Sequence, residues 1–223
     1  GTCNRFLTEQ TQMKIHLLWQ NYKYFPYERE FAKREVEALM GQKPSEGRGG
    51  LLVDVESDWQ HLAKRTTYFR EILSNEGDRI VPLQAQLEAV TNGSNSGSSL
   101  ALVMAPTHAR QSTRYSGHGL HEYRGKFNPQ VVRAISNIIG LQPGKWVLDP
   151  FCGSGTTLLE AFHLSLNAVG LDINPLAVAI ANAKIVAMRV PSDKLLQQAA
   201  ALKVRLNERI AGMCLEKAFS EKQ

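Results

Sequence analysis

The chain has 223 residues, 43% of them hydrophobic and 21% charged, which suits one sizeable globular domain with a helical appendage. A formal charge of +5 permits a polyanionic partner without requiring one, and no run of 18 apolar residues offers a membrane span. Three distant cysteines, Cys3, Cys152 and Cys214, give neither a disulfide framework nor a zinc site, and without a secretory signal they point to the reducing cytoplasm.

Residues 1–91 read as an N-terminal mixed, mostly helical region. Residues 1–27 are rich in aromatics and end in NYKYFPYERE, where Pro26 punctuates the entry to a helix. Phe31, Ala32, Val36, Leu39 and Met40 fall on one half of its wheel, and Gly41 ends the pattern. KPSEGRGG (43–50) predicts a loop and LLVDV (51–55) a short strand. SDWQHLAKRTTYFREIL (57–73) predicts a second helix capped by Ser57 or Asp58. Residues 79–91 fit more than one reading, one being a helix from Pro82 through Leu87. TNGSNSGSS (91–99) contains small polar residues that build no core, so 92–99 reads as a flexible linker. LALVMAP (100–106) predicts a strand, and 107–126 are irregular and basic.

From Asn128 the pattern becomes regular. Asn128 and Pro129 form a cap and first helical position, and Val131, Val132, Ile135, Ile138 and Ile139 make one apolar face up to Gly140. KWVLDP (145–150) predicts a buried strand, TTLLEAFHLSL (156–166) a helix and AVGLDI (168–173) a second strand. Asn174-Pro175 opens a further helix to about Met188. Residues 191–223 predict a long amphipathic helix from Ser192, with Leu195, Leu196, Ala199, Leu202, Leu206, Ile210 and Met213 on one side. Strand, helix, strand at this spacing implies adjacent parallel strands with a right-handed crossover. The fold class is therefore α/β, with 100–190 forming a partial doubly wound sheet, and such sheets bind ligands at the carboxyl ends of their strands.

The most informative stretch is LDPFCGSGTT (148–157). Asp149 ends a strand, Gly153 and Gly155 allow a sharp turn and close approach of a ligand, and Thr156 and Thr157 open a helix with free N–H groups. Asp172 lies 23 residues beyond Asp149, where an acid accepts the hydroxyls of a ribose. The loop lacks the third glycine of the dinucleotide fingerprint and is not a P-loop. An acid before the loop suits a cationic group better than a pyrophosphate. S-adenosylmethionine has an amino group, a sulfonium and a ribose, and needs no phosphate site.

VLDPFCGSGTT followed by VGLDINPLAVAIANAK resembles the cofactor motif of Rossmann-like S-adenosylmethionine-dependent methyltransferases. The similarity is closest to DNA methyltransferases that modify the exocyclic amine of adenine or cytosine, and extends to a group that methylates guanine in tRNA. YRGKFNPQVVRAI (123–135) resembles the segment that packs over the methionine end of the cofactor in both groups. By resemblance, Asp149 and the backbone of Pro150, Phe151, Cys152, Gly153, Ser154 and Gly155 surround the methionine moiety, with Thr156 and Thr157 opening the helix. Asp172 holds the ribose, Ile173 lies beside the adenine, Asn174 belongs to the same cofactor-binding set, and Lys126 and Phe127 close over the carboxylate. Cys152 reads as a packing residue rather than a nucleophile.

The group that acts on the amine is missing. Amine methyltransferases carry [D/N/S]-P-P-[Y/F/W], whose aromatic ring stacks on a flipped base. None of the nine prolines here is adjacent to another. A Pro-Cys nucleophile is also absent. The expectation is the cofactor-binding part of a DNA methyltransferase, a fragment or subunit that needs a downstream segment or second chain. The permuted alternative makes KIHLLWQNYKYFPY (14–27) a degenerate catalytic strand and loop. Further alternatives are a non-catalytic nucleic-acid-binding module with a vestigial loop, or part of a tRNA methyltransferase. Arg110, Arg114, Tyr115 and Arg124 mix cations with an aromatic, as nucleic-acid surfaces do. His118 and His121 read as solvated or DNA-facing, with no metal site.

Overall fold

The computed structural model describes residues 13–55, 58–91, 112–121, 123 and 125–220 of the chain. The expected linker at 92–99, the strand at 100–106 and Ser57 lie outside the described residues. The fold is mixed α/β, and its larger sheet is antiparallel.

That sheet belongs to the N-terminal region and has the order β2-β3-β1-β4-β5. The strands are β1 (Met13–Trp19), β2 (Ser45–Gly47), β3 (Gly50–Val55), β4 (Phe69–Ser74) and β5 (Arg79–Ile80). Ile15 and Leu17 of β1 face the core with Leu51, Val53 and Val55 of β3 and Phe69 and Ile72 of β4. Helix α1 (Pro26–Met40) packs Ala32 and Val36 into the same core. Pro26 opens it, Glu28 Oε2 accepts the Phe25 N–H at 2.6 Å, and Gly41 ends it at φ 69°.

The mostly helical reading of this region is therefore corrected. Among the described residues of 57–73 only α2 (Leu62–Arg65) is helical, and from Phe69 the chain forms β4, paired antiparallel with β1. Trp59, Leu62, Phe69 and Ile72 satisfy a helical period, but the run Thr66-Thr67-Tyr68-Phe69 has the β-branched and aromatic character of a strand. The second edge of β1 needed a partner and settled the ambiguity. The glycine-rich 43–50 loop contains β2, which forms a hairpin with β3. Helix α3 (Leu83–Thr91) follows β5, one of the readings open for that stretch.

The second body begins at α4 (Pro129–Ile138), where the Asn128 side chain accepts from Gln130 N–H. Strands β6 (Trp146–Asp149) and β7 (Asn167–Gly170) are parallel and joined through α5 (Thr156–His163), as the sequence predicts. Helices α6 (Pro175–Arg189) and α7 (Ser192–Ser220) follow. Helix α5 covers one face of the strand pair, packing Ala161 and Leu164 near Val147 and Ala168.

One expectation about burial is overturned, and one helix buries a face other than its apolar one. Strand β6 is not buried: Trp146 is 69% exposed and Leu148 63%. Both strands have one unpaired edge among the described residues. The apolar face of α4 is not its core face either. Ile135 and Ile139 are exposed, while Gln130, Arg133 and Asn137 are fully buried.

This inversion has an electrostatic cause. Residues 130, 133 and 137 lie on one side of the helix, and each meets a buried carboxylate. Gln130 Nε2 donates to Glu88 Oε1 at 3.3 Å and to Ser112 O at 2.5 Å. Arg133 Nε donates to Glu160 Oε2 at 2.7 Å. Asn137 Nδ2 donates to Glu35 Oε1 at 2.6 Å and to Arg65 O at 3.0 Å. Thr67 also donates to Glu35 through its N–H and hydroxyl, and Arg65 Nε donates to Asn137 Oδ1 at 2.8 Å. Burial raises the Glu35 pKa, opposed by the hydrogen bonds from Thr67 and Asn137. Asn137 thus joins α1 and α2 of the N-terminal region to the second body. Asn137→Ala leaves Glu35 and Arg65 short of partners and is expected to cost about 2–4 kcal/mol, read as a lowered midpoint in denaturant unfolding.

Candidate functional site

The glycine loop is built from its backbone outward. Gly153 and Gly155 adopt φ values of 50° and 84°, in the left-handed region. Gly155 N–H donates to Cys152 O at 2.8 Å, and Leu159 N–H returns to Gly155 O. A Cβ on Gly155 would lie 2.9 Å from Ala181 Cβ on α6, so this glycine serves both conformation and helix packing. Gly155→Ala is expected to destabilise the chain by about 1–3 kcal/mol and to lower any ligand affinity of the loop, measured by unfolding and calorimetry.

Carboxylates set the loop's shape. Asp149 Oδ1 accepts the Phe151 N–H at 3.1 Å. Asp172 Oδ2 accepts the Gly153 N–H at 2.8 Å, while Oδ1 accepts the Asn174 N–H at 2.8 Å. Asp172 therefore ties the end of the second strand to the loop of the first. Asn174 Oδ1 caps α6 by accepting the Leu176 N–H at 3.0 Å. Lys184 Nζ reaches from α6 to Ser154 O and Oγ at 3.2 and 3.3 Å.

Lys126, Phe127, Asp149, Pro150, Phe151, Cys152, Gly153, Ser154, Thr156 and Thr157 line one cavity of ≈ 330 Å³. Gly155 caps the adjoining helix, whereas Asp172, Ile173 and Asn174 are outside the cavity wall. Tyr123, Gly125 and Val132, which belong to the segment expected over the methionine end but were not singled out as site residues, also line the wall, as does Leu148. The apolar periodicity of α4 was the available signal for Val132. The Tyr123 ring would lie 3.3 Å from a Cβ on Gly153, so Tyr123 covers the loop directly.

Cys152 is buried, and burial, then Asp149 and Asp172, raise the pKa of its thiol. That environment disfavours a thiolate and agrees with a packing role. A side chain on Gly170 would strike its Cβ and Sγ at 2.8 Å. Lys126 Nζ donates to Thr113 O at 2.7 Å and His118 O at 2.9 Å. Burial, followed by Lys184 and Arg114, brings its pKa down to about 8.

The basic stretch divides. Arg110 and Arg124 lie outside the described residues. Arg114 is exposed and borders a second cavity beside the first, shared through Tyr123 and Lys126. Tyr115 is fully buried, with its hydroxyl donating to Glu160 Oε1 at 2.6 Å, so its ring is not on the surface. His118 is not solvated as expected: it is buried, 2.8 Å from the same oxygen through Nε2. The carboxylate only accepts, so Nε2 carries the hydrogen. His121 is exposed. Among the described residues no cluster of ligating side chains could hold a metal ion, and no helix is long and apolar enough to cross a membrane.

Buried titrating groups make the stability pH-dependent. Burial alone would raise the Glu160 pKa, but Arg133 and the His118 hydrogen bond bring it down to about 2 from 4.5. Burial lowers His163 to about 4 from 6.5. Both folded-state values lie below the ordinary ones, so the unfolded chain binds more protons in each window. Stability should fall as pH drops from 6.5 through 4 as His163 must charge. It should fall again from 4.5 towards 2 as Glu160 loses its charge. Unfolding midpoints across pH 2–8 check this, and His163→Gln should reduce the fall in the upper window, where the burial of His118 also contributes.

The geometry sits within a region shared with known proteins. The family model described as DNA methylase (N6_N4_Mtase) matches residues 9–183. Over 68 residues the chain is 41% identical to the type II methyltransferase M.MjaII of Methanocaldococcus jannaschii, covering 30% of this chain and 13% of that protein. It is 40% identical over 60 residues to the type II methyltransferase M.BsoBI of Geobacillus stearothermophilus, covering 27% and 12%. It is 40% identical over 52 residues to a tRNA (guanine(10)-N2)-dimethyltransferase of Methanothermobacter thermautotrophicus, covering 23% and 16%. The crystal structure of TrmN from Thermus thermophilus is similar at a TM-score of 0.38 and 17% identity, over 79% of this chain and 70% of that one. The matched segments are thus small parts of these curated methyltransferases, but the family match spans most of the chain, which belongs to the DNA methylase family.

Proposed function

We propose that this chain is the S-adenosylmethionine-binding part of a methyltransferase acting on an exocyclic amine of adenine or cytosine in DNA. The observation that carries the reading is the single cavity formed by the glycine loop, Asp149 and the Lys126–Phe127 cover at the carboxyl end of β6. The donor set suits that cofactor. Asp149 offers a carboxylate to an amino group, and exposed Phe127 and Phe151 flank the cavity with apolar surface. Asp172 accepts two backbone N–H groups and, as a carboxylate, retains acceptor capacity for ribose hydroxyls. Ile173, fully exposed beside it, offers an apolar contact to adenine.

The chemistry supplied by the bound cofactor is an electrophilic methyl group on a sulfonium. The chain's residues bind and orient it, and proximity then contributes most of the rate. The [D/N/S]-P-P-[Y/F/W] group that aims an amine is not in this sequence. We place it on a further segment or a second chain. The exposed side chains of Trp146, Val169 and Leu171, together with two strand edges unpaired among the described residues, support a seat for such a polypeptide.

Calorimetry with S-adenosylmethionine and S-adenosylhomocysteine tests the cofactor reading, with binding weakened at least about tenfold by Asp149→Ala. No binding to the folded chain at millimolar ligand overturns it. The pure chain should transfer no methyl group to unmodified DNA or tRNA, and transfer would refute the missing-group argument. Salt-dependent DNA binding that survives Asp149→Ala and Asp172→Ala, without cofactor affinity, would favour a non-catalytic module.

A further inference from the structure

The cavity has one regular wall, the β6–α5 loop, and one irregular wall, formed by Tyr123, Gly125, Lys126 and Phe127. Among the described residues of 112–126, the turn Ser116–Gly119 is the sole regular element. Its backbone bonds are short-range: His118 N–H to Tyr115 O, Leu120 N–H to Gly117 O and Lys126 N–H to Tyr123 O. A segment of this kind is placed by its side-chain anchors.

We propose that Glu160 is the positioning residue of this cavity: from beneath, its carboxylate holds the 112–126 segment against the glycine loop and so fixes Lys126 in the wall. Its consequence for binding rests on the methyl-donor reading above; the placement itself does not.

Glu160 is fully buried on α5, one turn beyond the loop. Arg133 Nε takes Oε2, while Oε1 accepts from both Tyr115 and His118. If Glu160 served only to pack α4 against α5, Arg133 would suffice. Two of its three partners instead belong to the cover segment. Gly117 brings the turn onto α5, where a Cβ would lie 3.1 Å from Leu159 Cδ2. Ser116 is held at φ 51°, its hydroxyl 3.1 Å from His163 Nε2.

The relay from Glu160 to the cavity is short. His118 gives its ring to Glu160 and its carbonyl to Lys126 Nζ, and the Thr113 carbonyl takes a second Lys126 hydrogen. Lys126 lines both the loop cavity and the neighbouring one of ≈ 360 Å³. Its ammonium is partly desolvated and crowded by Lys184 and Arg114, so it depends on those two carbonyls being in place.

Amide hydrogen exchange on the full chain tests the placement without any ligand. Glu160→Gln should speed exchange in 112–126 at least about tenfold and leave β1, β3 and β4 unchanged. Tyr115→Phe, which keeps the ring, should do the same more weakly and covers the case in which Glu160→Gln unfolds. Unchanged exchange in 112–126, or equal acceleration across the sheet, overturns the proposal. The functional arm is S-adenosylhomocysteine affinity. Tyr115→Phe should weaken it in the parent chain but not in a Lys126→Met background, whereas additive losses would show that Glu160 does not act through Lys126. If the unaltered chain binds no S-adenosylhomocysteine, the cofactor reading fails while the exchange measurement still decides the placement.

Discussion

Helix α4 presents a polar stripe to the interior, and the described architecture depends on what that stripe meets. Gln130, Arg133 and Asn137 reach Glu88, Glu160 and Glu35, carried by α3, α5 and α1. Buried carboxylates are tolerated only with partners, and a helix supplying three donors along one face satisfies three of them at once. The cost is an apolar face, Ile135 and Ile139, turned away from this core. Trp146, Leu148 and Val169 of the β6–β7 pair are exposed as well, so the second body carries exposed apolar side chains on more than one element.

The same stripe locates the site. Asn137 ties the second body to α1 of the N-terminal region through Glu35, and Arg133, one turn away, meets the carboxylate beneath the glycine loop. Asp172 closes the loop from the other side by holding the Gly153 N–H. The loop's left-handed glycines are therefore fixed by partners from β7 and α6 as well as by their own strand and helix. Such a site is preorganised on its regular side, while its other side, Tyr123 and residues 125–127, carries no regular element.

Legibility followed the range of the interaction. The strand–loop–helix–strand order around 148–173, the Asn128 and Asn174 caps and the start of α7 at Ser192 were readable because each is decided within a few residues. Ten of the expected site residues line one cavity for the same reason, since a single loop carries most of them. The 57–73 stretch was misread because its apolar spacing fits both a helix and a strand, and only the free edge of β1 distinguished them. Tyr115 and His118 looked like surface residues because their partner, Glu160, is more than forty residues away in sequence.

By itself, the sequence determined the local geometry of the glycine loop and its acids, because glycine torsions, caps and helix N-termini are short-range properties of the chain. It also determined that the amine-aiming motif is absent from these 223 residues. Only the tertiary structure decided which face of α4 is buried, that 69–74 is a strand, and that Glu160 underlies the cover segment. Those outcomes depend on long-range pairing of buried polar groups, which periodicity does not encode: a buried arginine or asparagine becomes a core residue only when its carboxylate is there to meet it.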